Sequence, residues 1–197
     1  AHRLLPALLA APIVAAAGNP ILATNLLGLL AYTFNAWGAR RLALALGISP
    51  LAAFSAGALF AFNTYAVLEQ PRLNIILLGF IPLALAEVLA FARSGRSRHV
   101  WRAAGLWLAQ AYTENYSAIY GGALVLLVLL VTLAAGPDAA EPLRRLRASA
   151  LPFLVAGLAF LPIVLVYNRM DSIYDYRREA PYSLDLSHFL ATQPGNW

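Results

Sequence analysis

An all-α fold, a polytopic transmembrane helical bundle, is what this sequence predicts, and three observations predict it. Of its 197 residues, 61% are hydrophobic and only 12% charged, whereas about a quarter of a soluble domain is charged. The apolar residues fall in runs approaching the roughly 20 residues that carry a helix across a bilayer core of about 30 Å. All 14 basic residues are Arg, and they cluster in the gaps between those runs. The net charge of +5 raises nucleic acid as a partner, but arginines so placed follow the positive-inside pattern of membrane loops. The expected partner is therefore the lipid bilayer, with no nucleic acid. The chain has no Cys, which excludes a disulfide framework and thiolate metal sites. The use of Arg without Lys reads as the codon bias of a GC-rich bacterial genome.

The runs predict about six to seven apolar helices in a membrane region over 1–168, near 4–17, 20–38, 51–68, 73–92, 102–113, 117–135 and 150–168. The first is short for a crossing and is stopped by Gly18-Asn19-Pro20, where Pro suits the first turn of the next helix. Residues 102–135 are too long for one crossing. The polar stretch Tyr112-Thr113-Glu114-Asn115-Tyr116-Ser117 divides them into a helical hairpin with its turn near 113–117. Pro82 and Pro162 stand inside runs and predict kinks. Beyond 168 the composition changes: residues 169–197 mix Asp, Glu and Arg with tyrosines, and read as an extracytoplasmic loop with short helical pieces at the membrane–water boundary, or as the start of a following segment. The chain opens at Ala1 without an initiator Met and closes at Trp197 in polar sequence; an internal piece of a longer protein is the expectation.

Arginine placement orients the hairpins. Arg40-Arg41, then Arg93, Arg96, Arg98 and Arg102, then Arg144, Arg145 and Arg147 all fall on one side if 51–92 and 102–135 are hairpins. The positive-inside rule makes that side cytoplasmic. Glu69-Gln70-Pro71-Arg72, Glu114-Asn115-Tyr116 and the tail then face outward.

No phosphate loop, zinc-protease motif or nucleophile elbow is present. His2, His99 and His188 are far apart, so no metal site is expected from them. Glu87 is the carboxylate deepest in an apolar run. It either serves function, as intramembrane acids do, or snorkels to the arginine loop or pairs with Arg40 or Arg41. Glu69, Gln70 and Arg72 form a polar turn that either merely ends two helices or lines a pocket, with Arg72 on a phosphate. Glu114, Asn115, Tyr116 and Tyr120 either form an interfacial tyrosine belt or line a wet cavity where amide edges and tyrosine faces bind sugar. Asn115-Tyr116-Ser117 also fits a glycosylation sequon, read as accidental in a bacterial protein.

The order of features carries a resemblance. Gly18-Asn19-Pro20-Ile21-Leu22-Ala23-Thr24-Asn25-Leu26 is followed by Gly38-Ala39-Arg40-Arg41-Leu42 and by Ala56 to Tyr65 (AGALFAFNTY). Then come Pro82-Leu83-Ala84-Leu85, the Tyr116/Tyr120 hairpin, and Arg177-Arg178-Glu179-Ala180-Pro181-Tyr182-Ser183-Leu184-Asp185. This resembles the bacterial multi-spanning glycosyltransferases of the GT-C superfamily. The resemblance implies sugar transfer from a polyprenyl-phosphate donor, at the outer face of the cytoplasmic membrane, to a glycan, lipid or protein acceptor. It implies an inverting reaction in which a carboxylate takes the acceptor proton and the lipid phosphate leaves against a cation. The catalytic acid of such proteins lies in the first outward loop, which places it upstream of Ala1 and leaves the catalytic residue here unknown. The residues implied to line substrate are Glu69, Gln70, Arg72, Glu114, Asn115, Tyr116 and Tyr120, capped by Arg177, Arg178, Glu179, Tyr182 and Asp185. The cofactor stays open, a divalent metal ion among the options. Two rivals stand beside this reading: a transporter or flippase for a lipid-linked precursor, and a non-catalytic membrane scaffold.

Overall fold

Helices follow one another with short joints, each set by an identifiable residue. The computed structural model describes residues 4–69, 72–134 and 140–174, and the described residues contain helices and no strands. In chain order these are α1 (Leu4–Ala17), α2 (Pro20–Ala45), α3 (Pro50–Ala61), α4 (Thr64–Leu68), α5 (Leu73–Ile76), α6 (Phe80–Ser94), α7 (Ser97–Thr113), α8 (Asn115–Ala134) and α9 (Ala140–Tyr174). The chain divides into two compact units, residues 1–161 and 162–197, with the boundary at Pro162 inside α9.

Pro20 occupies the first turn of α2 as expected, and Asn19 caps it: its Oδ1 accepts from the N–H groups of Ile21 at 3.0 Å and Leu22 at 3.1 Å. Side-chain oxygens satisfy orphan donors there at little cost. The helix does not stop at 38. It runs on through Arg40 and Arg41 to Ala45, because arginines suit the negative end of a helix dipole and need no loop to reach water. Long side chains reach water from a helix start as well, even against the dipole, so α7 starts at Ser97 rather than 102 and Arg98 and His99 are helical.

Two predicted runs are broken. The stretch 51–68 divides at Asn63, whose Nδ2 donates to Phe60 O at 2.7 Å while its Oδ1 accepts from Ala66 N at 2.9 Å. A short amide that bonds its own backbone competes with the helix and caps the next one. The stretch 73–92 is interrupted at 77–79, between α5 and α6. Pro82 is not a mid-span kink. It sits in the first turn of α6, where its missing N–H is no loss. The hairpin of 102–135 has a one-residue joint, Glu114, instead of a five-residue turn. Residues 169–174 continue α9.

Small residues let the helices close. At the crossing of α2 and α6, a Cβ added to Gly38 would lie 2.6 Å from the carbonyl oxygen of Gly79, so only glycine permits that approach. Gly95 ends α6 in the left-handed region, at φ 66°, which glycine adopts without penalty. Next to it the turn folds α7 back on α6. Ala84, Leu85, Val88 and Phe91 of α6 then pack with Val100 and Ala103 of α7 and with Val125 and Leu129 of α8 as a buried cluster.

Elsewhere the usual distribution is inverted. Asn35, Gln110 and Thr113 are buried, while Ile21, Leu51, Leu59 and Leu68 are each more than 70% exposed. Three stretches among the described residues are long and apolar enough to cross a membrane: Leu73–Ser94, Asn115–Thr132 and Arg147–Val166. The 26-residue α2 is not one of them, because Thr24, Asn25, Tyr32, Thr33 and Asn35 dilute its apolar residues.

Candidate functional site

Two places in the first unit concentrate polar chemistry within apolar helices. One is the gap between α5 and α6. Leaving the helix at 77–79 frees backbone groups that have no water to turn to inside an apolar bundle. Asn35 of α2, 1% exposed, meets them from the side. Its Nδ2 donates to Ile76 O at 2.6 Å and its Oδ1 accepts from Leu78 N at 3.0 Å. Gln110 of α7 approaches from the other side, its Nε2 donating to Leu77 O at 3.2 Å. The Gln110 Oε1 is buried without a partner among the described residues. Two amides thus stitch a discontinuous helix to its neighbours.

The second place is a cleft of about 720 Å³ between α2, α6 and α7. Its mouth holds Arg41, Arg102, His99 and Glu87; its walls are Phe34, Trp37, Phe80, Leu83 and Leu106. Glu87 Oε2 lies 2.6 Å from His99 Nδ1, and Glu87 Oε1 lies 3.8 Å from an Arg102 Nη1. The expected pairing of Glu87 with Arg40 or Arg41 is therefore corrected: its partners come from α7. The physical reason is the tight turn at Gly95, which brings the start of α7 level with the last turns of α6. Arg41 shares the cleft without pairing with Glu87. Arg40 faces a separate cavity with Phe54 and Phe62, on the α3 side of α2. At the same end of the bundle, Arg145 donates to Ala92 O. Members of all three arginine clusters thus meet at one end of α2 and α6.

The residues singled out from the sequence are placed as follows. Glu69 and Arg72 form an ion pair at 3.0 Å, and the backbone N–H of Arg72 donates to Glu69 O at 2.7 Å. That is a turn closed on itself. Glu114 is taken up by capping: its Oε1 accepts from Tyr116 N at 2.9 Å, its Oε2 from Ser117 N at 2.5 Å, and its own N–H closes α7 on Gln110 O. An extended residue that ends one helix and caps the next explains the acid without a ligand. Asn115 Oδ1 is buried without a partner among the described residues, and Tyr116 and Tyr120 are 50% and 74% exposed. Gln70, Arg177, Arg178, Glu179, Tyr182 and Asp185 lie outside the described residues. Among those described, no three His, Asp or Glu side chains gather at distances that hold a metal ion.

Asn35, Gln110 and the Arg41/Arg102/His99 cleft were not anticipated. A signal for Asn35 exists: Ala23, Leu27, Ala31 and Asn35 recur every four residues and Gly38 follows, all buried. A lone amide on an otherwise apolar or small stripe marks a polar need on the partner helix. Comparison with protein-family models, curated proteins and solved structures yields no match for this chain.

Proposed function

We propose that the chain is the membrane-embedded part of a bacterial protein of the cytoplasmic membrane that transfers a sugar from a polyprenyl-phosphate donor at the outer face. The observation that carries the membrane reading is the inverted distribution: large apolar side chains outside, amides buried and bonded, and arginines gathered at one end. Helices with uncovered apolar flanks are at home in lipid, where they need no polar coat. Helix direction puts Arg72, before α5, and Glu114, after α7, at the end away from the arginines. The reaction class rests on the resemblance of segment order, and Arg72 is the group on the outer side suited to a phosphate.

The orientation has a direct test, since the chain is free of Cys. Single replacements Leu68→Cys and Ser97→Cys are treated with a membrane-impermeant thiol reagent in intact spheroplasts. The expected result is labelling at 68 without lysis and at 97 only after it; the reverse pattern overturns the orientation. The activity is tested with the full-length protein in proteoliposomes holding a labelled polyprenyl-phosphate sugar. Transfer is expected, and Arg72→Ala reduces it about tenfold, the value of one charge-assisted contact. Its exposed ion pair with Glu69 contributes under about 1 kcal/mol to stability, so folding is retained. Unchanged transfer in Arg72→Ala removes that residue from the site.

A second reading, transport or flipping of a lipid-linked precursor, is favoured by the discontinuous α5/α6 helix, since broken helices line the paths of many transporters. Movement of the labelled lipid across the bilayer without sugar transfer selects it.

A further inference from the structure

The cleft at Arg41 and Arg102 does not end at its apolar walls. Phe34 and Phe80 line it, and both also line a second cavity of about 350 Å³ built from Pro6, Leu9, Ile13, Leu27, Leu30, Leu73 and Leu77. The two rings meet edge to face at 4.7 Å, so one aromatic pair separates a charged chamber from a wholly apolar one. Both chambers lie along one face of α2. Leu27, Leu30, Phe34, Trp37, Arg41 and Leu44 recur at helical spacing. From Leu27 to Arg41 that face is about 21 Å long at 1.5 Å per residue. One leaflet of hydrocarbon is about 15 Å deep, half of the bilayer core. The trench therefore has the reach of one acyl chain, with two guanidinium groups where the phosphate of that chain's headgroup would sit.

The charges agree with that occupant. Two arginines face one carboxylate, and Glu87 is turned to His99 at 2.6 Å and stands farther from Arg102, at 3.8 Å. The cleft is net positive with the imidazole in either form. Arg41 has no carboxylate partner among the described residues, and Arg102 is 60% exposed at its side chain. Guanidinium forks match phosphate oxygens, and Trp37 in the wall, one helical turn from Arg41, suits the region just below the headgroups. Basic pockets between helices on the arginine-rich side of a membrane are where anionic headgroups bind.

We propose that this trench binds an anionic glycerophospholipid of the arginine-side leaflet, its phosphate between Arg41 and Arg102 and one acyl chain laid over Phe34 and Phe80 along α2. The inference rests on the membrane orientation above and is independent of the transferase reaction. The full-length protein is reconstituted in nanodiscs of zwitterionic lipid with added phosphatidylglycerol, and bound lipid is counted by native mass spectrometry. The double variant Arg41→Gln/Arg102→Gln is compared with Arg40→Gln/Arg98→Gln, which removes equal charge outside the cleft. Apparent affinity falls at least about tenfold in the first and stays within about twofold of the parent in the second. Equal losses in both overturn the site in favour of general surface charge. Leu30→Trp, which fills the apolar chamber, weakens lipid binding as well; inorganic phosphate competing as strongly as the lipid shows that the chain adds nothing and overturns the acyl slot. Replacing phosphatidylglycerol with polyprenyl phosphate is the remaining arm. Retention of polyprenyl phosphate alone assigns the trench to a substrate and overturns the phospholipid. Thiol labelling reports the orientation separately, so its failure is distinguishable from failure of the lipid site.

Discussion

Asn35→Leu lowers the stability of the protein by about 3 kcal/mol, measured as a shift in the unfolding transition in mild detergent or bicelles. The side chain is 1% exposed and serves both Ile76 O and Leu78 N. Without the amide, Leu78 N and Ile76 O keep only each other, in a local contact at 3.1 Å, and both bonds across the crossing are lost. Each lost bond contributes about 0.5–1.5 kcal/mol, and no water replaces the amide inside an apolar bundle. The contrast with Gln110→Leu makes the prediction sharp. That change loses a longer bond, 3.2 Å to Leu77 O, and also removes an Oε1 that has no partner among the described residues. Loss and relief offset, and the expected change is within about 1 kcal/mol. Equal destabilisation by the two variants contradicts the view that Asn35 holds the break.

Gly38→Val is the more damaging change, about 4 kcal/mol or failure to accumulate folded protein, read by the same transition and by yield in the membrane fraction. A Cβ at 38 would stand 2.6 Å from Gly79 O and 3.2 Å from Pro82 Cγ. Neither is the end of a flexible side chain, so relief comes only by moving α2 away from α6. Overpacking costs about 1–3 kcal/mol where side chains can adjust, and more where backbone meets backbone. Separation also draws Asn35, one turn away, off Ile76 and Leu78. The double variant Asn35→Leu/Gly38→Val therefore falls short of the sum of its parts, as expected for residues acting through one contact. Gly105→Ala is the control. Nothing lies within 4 Å of a Cβ there, and alanine stabilises a helix interior by about 0.5–1 kcal/mol over glycine.

These two sites also mark where the sequence stopped being legible. Run lengths and the Asn19-Pro20 signal located most helices, because length and capping are local properties. The breaks at Asn63 and at 77–79 were not visible in hydropathy. Leu77 and Leu78 are as apolar as any neighbours, and the interruption exists because Asn35, more than 40 positions earlier, supplies the bonds a helix would otherwise supply. Arg40, Arg41 and Arg98 were read as loop residues on charge alone, whereas long side chains let a helix carry them to its end. Of the candidate site, Glu69, Arg72 and Glu114 were found by their polarity, and the structure gives each a local partner. The Glu87–His99 contact escaped because it depends on a turn at Gly95, and the Arg41/Arg102 cleft because it joins helices distant in sequence.

The bond from Leu78 to Asn35 spans 43 residues, and this has a consequence for how the protein is made. Synthesis completes α2 before the segment that covers its amide has been made. Until then the Asn35 amide of α2 lacks both of the backbone groups it finally bonds. Residues 76–79 act as a late-arriving lock on a helix made before them.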